Sequence, residues 1–204
     1  MSELTLESLS TQYFDVLKEI GNIGAGNATT ALATMLQCKV DMKVPQVRMM
    51  EFKDVGAMLG GEEQEMAGAY LEVDGDISGS ILFLVKRDVA MYLVKKLMGD
   101  MATDEFGEME QSAFKEISNI VTGSYLNALS SLTNMNIYPT IPDMAIDMAG
   151  AIISVPVILF GQVGDRVMLI ETDLFEGTYH VKSNFFLIPD EDSFEILLKS
   201  LGVF

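Results

Sequence analysis

Apolar residues at Tyr13, Leu17 and Ile20, with Gly24 on the same stripe, step along the chain by three and four positions and predict a long helix over about residues 6–37. Phe114, Ile117 and Val121 repeat that spacing and predict a second long helix over about 107–134. After each helix the pattern changes to that of strands. VDMKVPQVRMM follows the first helix and NIYPTIPDMAI the second; each reads as one strand carrying a proline. A short apolar or helical segment comes next. Two further strands follow, GAYLEVDGD and SGSILFLVK in the first half, DRVMLIETD and YHVKSNFFLI in the second. RDVAMYLVKKLMG and DEDSFEILLKSLG then close the halves as helices, each with glycine at its C-terminal edge. Connections such as Asp74-Gly75-Asp76 are too short for parallel crossovers, so the sheet is expected to be mainly antiparallel.

The two halves are also related residue by residue. Asp15-Val-Leu-Lys-Glu19-Ile-Gly-Asn22 aligns with Ser112-Ala-Phe-Lys-Glu116-Ile-Ser-Asn119 at an offset of 97, which also brings Pro45 onto Pro142 and Gly26 onto Gly123. Later segments align at an offset of 103, FLVKRD with FLIPDE and KKLMG with LKSLG. The expected fold is therefore α+β with a pseudo-twofold internal duplication. Each half (1–99 and 100–204) would supply a long helix, three mainly antiparallel strands and a closing helix. No Pro/Ser-rich linker separates them, so residues 1–204 are expected to form one domain.

Composition narrows the chemistry. A net charge of −17 repels phosphate backbones and argues against nucleic-acid binding; it fits plain solubility and attraction to a basic patch on a protein partner equally. One cysteine, Cys38, permits no internal disulfide and fits a reducing, cytoplasmic setting. The single histidine, His180, excludes a multi-histidine metal site, and no G-x-S-x-G elbow supports a serine triad. MSELTLESLS does not read as a secretion signal. The run from Met148 to Gly161 is shorter than the ~20 residues of a membrane span and reads better as buried core.

The glycine-rich stretch EIGNIGAGNATT suggests a phosphate loop, but the helix-like TQYFDVLK precedes it and no Gly-Lys-Ser/Thr ends it. Its glycines make better sense as close-packing residues or a kink. The chemistry is expected just before them. On a wheel of about 100° per residue, Asp15, Glu19 and Asn22 share one face opposite the apolar stripe, as do Ser112, Glu116 and Asn119. Polar residues on an outer helix face are ordinarily solvated surface. Here the carboxylate and carboxamide recur in both halves while neighbours diverge, Gly21 to Ser118 and Gly24 to Val121. A carboxamide on a rigid helix can orient a water for in-line attack on phosphorus, a reaction that asks mainly for positioning and charge neutralisation. No basic residue is expected on this face and no metal cluster in the chain, which suits a helix that completes another protein's active site.

The doubled pattern, Asp15/Glu19/Asn22/Pro45 and Ser112/Glu116/Asn119/Pro142, with twenty-two residues between each Asn and its Pro, resembles the signature of the CheC family of chemotaxis response-regulator phosphatases. The resemblance covers essentially the whole chain and is to the two-motif members. It implies a hydrolase that removes the aspartyl phosphate of the response regulator CheY. Asn22 and Asn119 would align the water. Glu19 and Glu116 would contact the regulator's lysine, with Asp15 and Ser112 in support. It implies no cofactor of the chain's own, the Mg²⁺ belonging to the regulator, and no membrane insertion. It also implies a second partner, the receptor deamidase CheD, for which the segment from Asp147 to Ser154 is the candidate contact. A non-catalytic sink for the phosphorylated regulator, or a CheD-binding adaptor, is the alternative.

Overall fold

The computed structural model describes residues 11–160, 166–176 and 179–201. Residues 6–10 of the first expected helix, Asp165 and Gly202 lie outside them. Helix α1 spans Thr11–Leu36, followed by β1 (Val40–Glu51), α2 (Phe52–Met58), β2 (Glu65–Gly75), β3 (Gly79–Lys86) and α3 (Arg87–Met98). Helix α4 (Glu108–Thr133) starts the second series, with β4 (Ile137–Pro139), β5 (Asp143–Met148), α5 (Ala149–Phe160), β6 (Arg166–Glu176), β7 (Tyr179–Pro189) and α6 (Glu191–Ser200). The fold is α+β, as the residue pattern predicts.

All recorded strand pairs are antiparallel, in the order β1-β6-β7-β3-β2-β4, with β5 also on β2. The central strands are buried on both faces. In β3, Ile81, Phe83 and Val85 point into one apolar cluster and Leu82 and Leu84 into another, as the two-residue alternation of a strand requires. The first cluster joins the sheet to α1, α3, α4 and α6; the second joins its opposite face to α2 and α5. A strand covered on both sides reads as an unbroken apolar run, which is why SILFLV shows little alternation. No helix among the described residues is long and apolar enough to cross a membrane.

Two details depart from the sequence reading. NIYPTIPDMAI is not one strand: β4 ends at Pro139 and β5 begins at Asp143. Thr140 still holds the edge of β2, giving its N–H to the Glu72 carbonyl at 2.9 Å and accepting the Glu72 N–H on its hydroxyl at 3.0 Å, and the chain leaves that edge at Ile141 and Pro142, which has no N–H to give a ladder. The apolar run from Met148 is also not wholly core. Ala149, Ile152 and Ile153 are buried, whereas Val155 and Ile158 face outward, Ile158 at 76% exposure.

Candidate functional site

The apolar stripe of α1 sets which face remains free. Tyr13, Leu17 and Ile20 are buried, and so are Phe114, Ile117 and Val121 of α4. Burial of these stripes turns Asp15 and Glu19 of α1, and Ser112, Glu116 and Asn119 of α4, outward, and all five are exposed. The start of α4 is held by Glu110, whose carboxylate accepts the N–H and hydroxyl of Thr103 at 2.8 and 2.9 Å; the backbone N–H holds its carboxyl below the usual range. Gly21 and Gly24 are buried, and the helix continues through them without a break. Gly24 faces Tyr125 of α4, where an added Cβ would lie 2.9 Å from the Tyr125 Cα. This is the close approach that the glycine-rich stretch suggests.

The two motif copies are not alike in detail. In the first, Asn22 is half-buried and its Oδ1 accepts the backbone N–H of Val44 at 2.9 Å. The register of β1 against β6 shifts between Lys43 and Gln46, around the exposed Pro45. In the second, the residue in the place of Val44 is Ile141, which lies in the excursion between Pro139 and Pro142 with its side chain 88% exposed. Nothing among the described residues hydrogen-bonds to the Asn119 side chain. The excursion leaves a depression of about 380 Å³ lined by Ser112, Lys115, Glu116, Asn119 and residues 139–142. Pro142 itself is buried against it.

Lys115 corrects the expectation of a face without basic residues. It lies about 60° from Ser112 on the Asn119 side of the helix, and it lines the depression. Lys18 holds the same position in the first copy. A lone carboxamide, carboxylate and ammonium can position water and grip charges. Among the described residues no His, Cys, Asp and Glu side chains cluster as a metal site. Asp147, assigned to a separate contact, is exposed on β5, where its Oδ1 accepts the N–H of Met148 at 2.7 Å.

The profile of the CheC-like family matches residues 15–49, which hold the first motif copy, and that of the chemotaxis phosphatase CheX matches residues 67–158, which hold the second. The chain is 36% identical over 200 residues to the CheY-P phosphatase CheC of Bacillus subtilis, covering 95% of this chain and 96% of that one. It belongs to the CheC-like family of chemotaxis phosphatases. The same fold is found in FliY of Thermotoga maritima (TM-score 0.75, 24% identity, 96% and 98% of the two chains). It is found again in FliM of H. pylori, solved with SpeE (TM-score 0.72, 16% identity, 96% and 97%).

Proposed function

We propose that this protein is a phosphatase that hydrolyses the aspartyl phosphate of a CheY-type response regulator. The observation that carries this reading is the Glu116/Asn119 face, open onto a depression, in a chain similar to a protein named CheY-P phosphatase. A regulator docked there brings the acyl phosphate and its own Mg²⁺. Asn119 orients a water in line with the phosphorus, its Oδ1 accepting a hydrogen bond from that water. The water oxygen bonds to phosphorus, the bond from phosphorus to the acyl oxygen breaks, and that oxygen leaves with the electron pair as a carboxylate. Both water protons end on the released phosphate. Glu116 pairs with the regulator's lysine, with Ser112 beside it, and Glu19, Asn22 and Asp15 form the corresponding face on α1. The decisive experiment mixes the protein with a phosphorylated CheY-type regulator and follows release of inorganic phosphate above the regulator's own rate. Binding without faster release would leave only a sink, a role that the engaged oxygen of Asn22 favours for the first site.

Glu19→Ala and Glu116→Ala are expected to weaken regulator binding as well as turnover, each by about 2- to 10-fold, because a carboxylate one turn from the Asn grips a cation but cannot replace the amide. Titration of each variant with the regulator, beside the release assay, checks both effects. The outward face of α5 with Asp147 is the proposed contact for a CheD-type deamidase. Ile158→Glu is expected to abolish that complex in a pull-down with purified deamidase while leaving phosphate release unchanged, because α5 lies on the opposite face of the sheet from α1 and α4.

A further inference from the structure

We infer that Lys115 is a further catalytic residue of this site, one that contacts the phosphoryl group itself; the inference rests on the phosphatase reading above. Four side chains form a rhombus on α4. Ser112 and Glu116 are one turn apart, as are Lys115 and Asn119. Around the helix the order is Lys115, Asn119, Ser112, Glu116, so the carboxamide lies between an ammonium on one side and a carboxylate on the other. Lys115 and Glu116 are adjacent in sequence and diverge by about 100°, so they do not face each other. Among the described residues neither forms an ion pair. Lys115 is half-buried at the depression, with its charge available to a partner.

A chain of net charge −17 is repelled by an anionic phosphoryl group, so the point of contact needs a local cation. The lysine nearest the carboxamide supplies it. Glu116 on the far side meets the regulator's cation, and Lys115 on the near side meets a phosphoryl oxygen next to the oriented water. In the transition state charge spreads over the three equatorial oxygens, where a neighbouring ammonium is worth most. Recurrence of lysine at Lys18, also half-buried, gives the first copy the same arrangement.

The test uses the full chain carrying Asn22→Ala, so that release reports the second site, with Lys115→Gln and Lys115→Arg added in turn. Two quantities are read. One is phosphate release from the phosphorylated regulator at several salt concentrations. The other is affinity for the regulator loaded with trifluoroberyllate against the unloaded regulator. Lys115→Gln is expected to lower release about tenfold, to flatten its salt dependence, and to lose most of the preference for the trifluoroberyllate form. Lys115→Arg is expected to retain most of all three, because it keeps the charge. Unchanged release in Lys115→Gln overturns the inference alone. So does an equal loss of affinity for both forms of the regulator, which would place the lysine on some other acidic group. Absence of faster release with the unmutated protein overturns the phosphatase reading, and the inference with it.

Discussion

Asn119→Ala is expected to remove most of the phosphate release, by on the order of 10²-fold at the second site, with almost no change in stability. Asn22→Ala is expected to do the reverse, lowering stability by about 1 kcal/mol while costing less activity. The difference follows from what each carboxamide touches. The Asn22 oxygen holds the Val44 N–H at 2.9 Å, so one of its two lone pairs is already used and its orientation is fixed by β1. Truncation strands a part-buried backbone donor, and that is the origin of the stability cost. Among the described residues the Asn119 amide has no such partner, and it opens onto the depression, leaving its oxygen for a water. Its truncation breaks nothing in the fold. Thermal unfolding beside a release assay on both single variants and the double variant separates the effects. Equal activity losses in the two single variants would show that the Val44 contact does not restrain Asn22 during turnover.

Much of this arrangement is legible in the sequence, because it follows from helical spacing. The buried stripes Tyr13/Leu17/Ile20 and Phe114/Ile117/Val121 fix the outward faces of α1 and α4 by geometry, and the structure places Glu19 and Glu116 on them. The inequality of the two copies is harder to read. It depends on where the chain runs after α4, and two prolines three residues apart signal an interrupted strand without showing how far Ile141 swings out. Lys115 was within reach of the same wheel, about 40° from Asn119. It is missed when the face is defined only by Ser112, Glu116 and Asn119, although Lys18 and Lys115 recur at the same position in the two copies. The outward side of α5 is not legible at all. AGAIISVPVILF is apolar on every side, so no periodicity distinguishes Ile152 and Ile153, which are buried, from Val155 and Ile158, which are not.

The same glycine-rich stretch contains two glycines, two residues apart, that are expected to respond oppositely to substitution. Gly24 meets α4 so closely that a Cβ would be 2.9 Å from the Tyr125 Cα and 3.2 Å from its ring. A backbone atom cannot rotate away. Tyr125 is itself fixed, through its hydroxyl to Thr172 at 2.9 Å and its ring against Phe185 at 4.6 Å. A side chain at position 24 must therefore push α1 off α4, and with it Asn22 off Val44. Gly24→Val is expected to cost about 3 kcal/mol, the upper end of core overpacking, and to lower Tm by about 6–12 °C. Gly26 is exposed with nothing within 4 Å of an added Cβ. Gly26→Ala is expected to raise stability by about 0.5–1 kcal/mol through helix propensity alone. Because α1 carries only one of the two faces, Gly24→Val should still release phosphate through Asn119 below its melting temperature. Calorimetry gives the signs, and a release assay at a temperature where all variants are folded gives the rest. A Gly24→Val protein as stable as the parent would show that the two helices are free to separate at this crossing, and that the glycine has no packing role.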